Sequence, residues 1–371
     1  MGISIIEKME RREFLIKSVS AGVLFSMSPL LSCGSPKRLK ILVLGGTFFV
    51  GPAIVNAALE NNHSVTLFNR GITNPTLFPD LDLIKGDRDL GMEAYIPLMD
   101  EQWDIVIDVW PEKSKLVDEA TASLKDNAKH YIFISSIAVY NNFQQVGLNE
   151  EQEVVSLKLD KNEWGYPEEK LAAELFVKER FKNNHTIVRG GPIKGWRDPA
   201  VDILYWCIKL TRDDAIIAPG SGMDHLQFID VKDIGKFAIM AAENKFSGVY
   251  NCTGPDKDPL LWKDFMEGAK KQFNSQTELI WASEEFLAAN NVSPFSDLPL
   301  WTPLTEDAFM QISNEKLVNT GFEFRPIELT LEDCMKWFRT TMNDDIRFGS
   351  NEIEIGLERN KELELIDKLK E

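Results

Sequence analysis

The sequence predicts an α/β protein: a doubly wound parallel sheet with a smaller C-terminal substrate-binding region. Three observations carry that. From Leu39 onward, short apolar runs alternate with stretches of helical spacing. The runs are apolar on both faces, as strands covered by helices on both sides must be. The first run ends in glycines at the turn into a helix, where such sheets bind phosphate.

The elements follow in order. Leu39 to Leu44 is the first strand. Val50 to Glu60 is a helix, with Val50, Ile54, Val55, Ala58 and Leu59 at helical spacing. Ser64 to Phe68 is the second strand, and a third ends before Gly86. Asp104 to Val109 and Tyr131 to Ile134 are near-continuous apolar runs, with a helix from Lys115 to Lys125 between them. A helix from Pro167 to Lys182 leads into the strand Thr186 to Val188. Right-handed crossovers between parallel strands give the Rossmann-type arrangement. The chain then divides into a signal and linker (1–38), a dinucleotide-binding domain (39–189), a substrate-binding region interleaved with the sheet (190–340) and a helical tail (341–371).

Composition narrows the function. With 41 basic and 58 acidic residues the net charge is 41 − 58 = −17, which argues against nucleic acid as a partner. Four cysteines without C-x-x-C spacing and four scattered histidines argue against a metal site. A small-molecule substrate remains, with self-association read no further than a homodimer.

The N-terminus reads as an address. Arg11-Arg12-Glu13-Phe14-Leu15 resembles a twin-arginine export signal. The stretch Leu15 to Leu31 is too short and polar to span a bilayer, which takes ~20 apolar residues. It ends in Leu30-Leu31-Ser32-Cys33-Gly34, similar to a bacterial lipobox. The resemblance implies cleavage before Cys33, lipidation of its sulfur, and a lipoprotein on the periplasmic side of a bacterial membrane, touching lipid through that anchor only. It also implies export of the folded chain with its cofactor bound. A cofactor that cannot exchange favours chemistry that is redox-neutral within each cycle. Cys207, Cys252 and Cys334 read as buried small hydrophobes.

The first strand–helix turn reads Gly45-Gly46-Thr47-Phe48-Phe49-Val50-Gly51. It aims helix N-terminal N–H groups at a pyrophosphate, and Gly51 lets the helix pack closely. Phe48 stands where a dinucleotide fingerprint has its middle glycine, so it either flanks the cofactor or shifts it. The second strand ends in Asn69-Arg70, where an NAD site normally has an acid for the ribose. A guanidinium suits a phosphate, so NADP is favoured over NAD. In Gly86-Asp87-Arg88-Asp89, Asp87 can accept from the adenine amino group, and Arg88 is placed in the same site.

Ser135-Ser136 close the strand that begins at Tyr131, and Tyr166-Pro167-Glu168-Glu169-Lys170 opens a helix 30 residues past Ser136. Tyr166 and Lys170 share a helix face. The ammonium should lower the phenol pKa from about 10 toward working pH. Ser136 can hold a substrate oxygen, giving a proton relay for carbonyl–alcohol redox chemistry. Ser135, Tyr166 and Lys170 are also placed beside the dinucleotide.

These residues resemble the short-chain dehydrogenase/reductase superfamily, on its extended or atypical branch, within the NAD-dependent epimerase/dehydratase family. The resemblance spans Leu39 to Trp337 and includes Arg189-Gly190-Gly191-Pro192, Gln227 to Asp233 and Gly248-Val249-Tyr250-Asn251. It implies that Ser136, Tyr166 and Lys170 are the catalytic triad of an NAD(P)-dependent oxidoreductase or epimerase, acting on a sugar-like alcohol or carbonyl. Nucleotide-sugar members carry an Arg that clamps the diphosphate, and Leu226 stands there, beside His225, which lowers the case for a UDP-sugar. Two alternatives stay open: a non-catalytic NADP sensor of the same fold, and a sugar dehydratase. The dehydratase would need an extra acid–base pair after Ser136, which Ile137-Ala138 do not supply. The loop Ser293 to Pro303 reads evenly as substrate lid or as core, and Ile353 to Lys370 as a solvated amphipathic helix.

Overall fold

Strand β1 (Lys40–Leu44) shows why a parallel sheet forms. Ile41 to Leu44 are all inaccessible to solvent, so both faces of the strand must be covered. The computed structural model describes residues 37–109, 112–342, 346–351 and 353–371. The twin-arginine segment and Cys33 lie outside the described residues. Residues 38–371 form one compact unit. β1 lies between β2 (Ser64–Asn69) and β4 (Ile105–Asp108), with β3 (Asp82–Lys85) at the edge beyond β2. β5 (Tyr131–Ser136), β6 (His185–Gly190) and β10 (Gly248–Cys252) continue past β4, giving the order β10-β6-β5-β4-β1-β2-β3. All pairings are parallel, with Leu44 opposite Phe68 and Asp108, and Ser136 opposite Gly190.

The helices fall on two faces. α1 (Val50–Glu60) packs on α5 (Val231–Asn244). Gly235 permits this approach, since a Cβ there would lie 2.5 Å from the Ala53 carbonyl oxygen. α2 (Ser114–Leu124) and α3 (Tyr166–Phe181) cover the opposite face. The boundaries agree closely with the pattern, and α1 agrees residue for residue.

The C-terminal core gathers α4 (Asp202–Arg212), α6 (Trp262–Phe273), α7 (Ile327–Thr341) and α8 (Arg359–Lys370) around two short parallel strands, β8 (Ala215–Pro219) and β11 (Glu278–Ala282). Two further short strands, β7 (Ile193–Lys194) and β9 (Ile229–Asp230), pair beside the main sheet. Among the described residues no helix is long and apolar enough to cross a membrane.

One even reading is decided and one expectation changes. Leu298, Leu300 and Trp301 are buried in the C-terminal core beside Trp206 and Trp262, so the second half of this loop is core, while Ser293 to Ser296 are exposed. The tail helix is solvated on one face only and docked by the other. Its Glu362, Leu365 and Ile366 share one face and are buried. Glu362 accepts from the Ile217 N–H at 3.1 Å and pairs with Lys209 and Arg359. The charged residues of that pattern include an inward ion pair, which periodicity alone reads as surface.

Candidate active site

The glycine turn is built by backbone conformations that side chains disfavour. Gly45 and Gly46 have φ of +112° and +95°. A Cβ on Gly51 would lie 2.7 Å from the Gly46 backbone, so α1 can start this close to the sheet only with glycine there. Phe49, at the N-terminus of α1, holds φ +41° and ψ −94°, a strained pair for a side-chain-bearing residue. Two asparagines brace the turn. Asn69 donates to the Gly45 carbonyl at 2.7 Å and accepts from the Gly71 N–H at 2.8 Å. Asn74, which the sequence reading misses, donates to the Thr47 carbonyl at 2.8 Å.

A cavity of about 560 Å³ opens over this turn. Gly45 to Val50, Asn69, Arg70, Asp87 and Arg88 line it, together with Ile72, Val109, Glu112 and Lys113. Phe48 stands half exposed on its wall, and Arg70 is exposed at its rim. Asp87 caps the short turn Arg88–Leu90 by accepting from the Asp89 N–H at 3.1 Å. The cradle of positive-φ glycines under a cavity of this size fits a dinucleotide diphosphate.

Arg88 lines the cavity, but its guanidinium has buried partners. Its guanidinium turns inward and forks onto Asp108 at 2.8 and 2.9 Å. It also donates to the Tyr95 hydroxyl and the Leu116 carbonyl. Asp108 has no exposed surface and accepts a further bond from the Tyr131 hydroxyl at 2.7 Å. Arg88 therefore braces the cavity floor, and its charge is taken up by Asp108.

Ser135 is engaged in the same way. Adjacent side chains on a strand point to opposite faces. Ser135 Oγ donates to Glu174 at 2.7 Å, inside a buried network where Arg189 forks onto the same carboxylate at 2.9 and 2.8 Å. Burial works to raise the Glu174 pKa, but the hydrogen bonds and charge of Arg189, with Lys178 and Ser135, hold it below the usual value. The Ser135 hydroxyl supports β5 from the face opposite Ser136.

Ser136 takes the other face. Its Oγ accepts from the Ala138 N–H at 3.1 Å and lies near enough the Tyr166 hydroxyl to favour its ionised form. Tyr166 is the first residue of α3, whose start is capped by Glu168 accepting from the Gly165 N–H at 3.0 Å. One turn on, Lys170 is buried with its Nζ 5.7 Å from the Tyr166 ring centre and 3.0 Å from the Ile134 carbonyl. The structure thus brings Ser136, Tyr166 and Lys170 together.

The electrostatics depart from expectation at Tyr166. Tyr166 is 47% exposed as a residue, yet desolvation at its hydroxyl pushes the pKa up, Ser136 opposes the shift, and the Glu112 charge adds to it. The predicted lowering by Lys170 is not what this site displays. Lys170 is itself brought down to about 8, chiefly by burial, against the charges of Asp108, Glu174 and Glu112. Glu112 thus acts on both groups while lining the dinucleotide cavity. Its place just past the carboxyl end of β4 is the signal that could have found it.

The triad lines neither the cavity over the glycine turn nor a second one of about 520 Å³. The polar walls of the second satisfy one another: Asp230 holds Arg325 and Thr330, and Asp233 accepts from the Arg325 N–H.

A model of the NAD dependent epimerase/dehydratase family matches residues 41–253. No curated protein sequence matches the chain. Among solved structures, the UDP-Glc/GlcNAc 4-epimerase of Campylobacter jejuni is 15% identical with a TM-score of 0.61, over 81% of this chain and 99% of that one. The UDP-N-acetylglucosamine 4-epimerase of Methanobrevibacter ruminantium, in complex with UDP-N-acetylmuramic acid, is 19% identical with a TM-score of 0.60, over 82% of this chain and 100% of that one. The Bordetella bronchiseptica enzyme WbmH, in complex with NAD+, is 13% identical with a TM-score of 0.59, over 82% and 99%. At these identities the likeness is one of fold.

Proposed function

The chain belongs to the NAD-dependent epimerase/dehydratase family, an enzyme family, and from that premise we propose that it oxidises, reduces or epimerises a sugar-like alcohol or carbonyl, with Ser136, Tyr166 and Lys170 handling the proton. The observation that carries this is the gathering of the three side chains, with the Lys170 ammonium 5.7 Å from the Tyr166 ring centre and Ser136 acting on the Tyr166 hydroxyl. A nicotinamide dinucleotide over the glycine turn would exchange hydride with the substrate carbon. Ser136 then fixes the substrate oxygen. Tyr166 gives that oxygen its proton when a carbonyl is reduced and takes it back when the alcohol is oxidised. Because burial raises its pKa, Tyr166 rests as the protonated donor. Lys170, near pKa 8, sits close to the physiological range and can steady the phenolate when it forms.

The substrate is read as sugar-like because UDP-sugar 4-epimerases are among the neighbours. Leu226, almost wholly buried, offers no cation for a diphosphate, which favours a sugar carried without that clamp. NADP is the favoured dinucleotide, on the strength of Arg70 at the cavity rim. The chain is further read as an exported lipoprotein, from Arg11-Arg12 and Cys33, and as running a redox-neutral cycle on a retained cofactor.

The test is to purify the exported protein, denature it and identify the released dinucleotide by mass. The purified enzyme is then assayed against free and nucleotide-linked sugars. Retained dinucleotide with turnover of a sugar supports the reading. Cofactor-free protein whose activity consumes added NADP(H) stoichiometrically overturns the closed cycle.

A further inference from the structure

We propose that Glu112 is a specificity residue for the oxidised dinucleotide, its carboxylate favouring the positively charged nicotinamide ring over the neutral, reduced one. This rests on the reading that a nicotinamide dinucleotide spans from the glycine turn to Ser136, Tyr166 and Lys170.

Sheet order fixes where that span must run. β4 lies between β1, which ends in the glycine turn, and β5, which ends at Ser136. Two strand spacings, about 10 Å, separate β1 from β5. Any group that reaches from the diphosphate cradle to the triad crosses the loop that leaves β4. Glu112 stands in that loop, four residues past Asp108.

Two contacts hold the loop in place. On one side the Ser114 N–H donates to Glu169 at 2.5 Å, and Glu169 lies in the first turn of α3, between Tyr166 and Lys170. On the other side the Lys113 ammonium donates to Asp89 at 3.1 Å. Glu112 itself is exposed and lines the cavity. Its carboxylate makes no hydrogen bond or salt bridge among the described residues. Its charge nevertheless reaches the triad, acting on both the Tyr166 hydroxyl and the Lys170 ammonium.

The other charges of the cavity are committed or distant. Asp108 holds Arg88, and Asp89 holds Lys113. Arg70 and Asp87 follow β2 and β3, on the far side of the glycine turn from β4. Of the charged residues that line the cavity, that leaves Glu112 at the triad end. Lys170, buried one turn on from Tyr166, puts a positive charge at the same end, and Glu112 offsets it. The oxidised nicotinamide ring is a cation. It loses that charge on accepting a hydride, which leaves the substrate carbon with both electrons of its C–H bond. A carboxylate at this end therefore holds the oxidised form more tightly than the reduced one. In a cycle that opens by oxidising an alcohol on a retained cofactor, the oxidised form is the one that has to be waiting.

The test titrates the full-length chain, dialysed exhaustively to remove retained dinucleotide, with the oxidised and reduced forms of NADP and of NAD by calorimetry. The readout is the ratio of dissociation constants, oxidised over reduced. Glu112→Gln should shift that ratio toward the reduced form by about tenfold, equal to about 30 mV in the potential of the bound two-electron couple. Glu112→Asp keeps the charge and should stay near the parent. Asp87→Asn removes a carboxylate from the far end of the same cavity and should leave the ratio within about twofold, whatever it does to the affinities themselves. A ratio that moves with Glu112→Gln and with neither of the other two supports the assignment. A ratio unmoved by Glu112→Gln, including the case where both affinities fall in step, overturns it and leaves the dinucleotide site intact. An equal shift from Asp87→Asn ascribes the bias to the net charge of the cavity and overturns it too. A folded parent that binds none of the four dinucleotides overturns this proposal and the dinucleotide reading together.

Discussion

Replacing Arg88 with alanine tests whether it braces the cavity or grips the cofactor. The variant removes both bonds to Asp108, which has no exposed surface and would keep only the Tyr131 hydroxyl. Breaking a buried ion pair by deleting one partner costs about 3–5 kcal/mol, because the other charge stays buried without compensation. The Arg88 side chain is partly exposed to the cavity, so water can reach the gap, and the lower figure of about 3 kcal/mol applies. At roughly 2–4 °C per kcal/mol for a large domain, the midpoint should fall by about 6–12 °C. The assay is thermal unfolding followed by dinucleotide titration at a temperature where the variant is folded. Arg88→Met combined with Asp108→Leu, which removes both charges, should recover much of the loss. A midpoint within about 1 °C of the parent, with dinucleotide affinity reduced tenfold or more, would refute the brace and restore Arg88 as a ligand.

Three further outcomes are expected. Tyr166→Phe keeps the ring and removes the proton, so turnover on a confirmed sugar substrate should drop at least ~10²-fold, and unchanged turnover would end the assignment. Arg70→Ala should narrow the preference for NADPH over NADH measured by calorimetry, and tighter NADH binding by the parent contradicts the premise. Lys170 titrates near 8 when folded and at 10.5 when unfolded. Between those values the unfolded chain holds a proton that the folded one has released, so this group's contribution to stability rises with pH through that window. Lys170→Met should flatten that rise in denaturant titrations on either side of it, and an unaltered slope would place the effect elsewhere.

The strands and the glycine turn were legible because burial on both faces and positive φ leave marks in composition. Ile41 to Leu44 can only be a central strand, and Gly45, Gly46 and Gly51 are forced by close approach. The spacing of Ser136, Tyr166 and Lys170 was legible because strand end and helix face are periodic facts. What was not legible is where a polar group spends its hydrogen bonds. Arg88 sits among cavity residues and Ser135 next to Ser136, yet their partners, Asp108 and Glu174, are 20 and 39 positions away. Glu362 has the same history: its partner Lys209 lies 153 positions upstream, so its pattern reads as a wet surface. The raised pKa of Tyr166 is also a burial effect, invisible to a rule about neighbouring charges.

The packing of α1 on α5 has a consequence for how the protein is made. The helix behind the glycine turn rests at Ala53 on Gly235, and 235 − 53 = 182 residues of synthesis separate them. At about 5–20 residues per second, that support arrives roughly 10–40 s after the turn has left the ribosome. β10, the last strand of the sheet, is later still. The cofactor cradle, though encoded first, becomes rigid only once the early part of the substrate-binding region, through Cys252, has been translated. Loading of the dinucleotide is thus timed by the middle of the chain and not by the glycine turn itself.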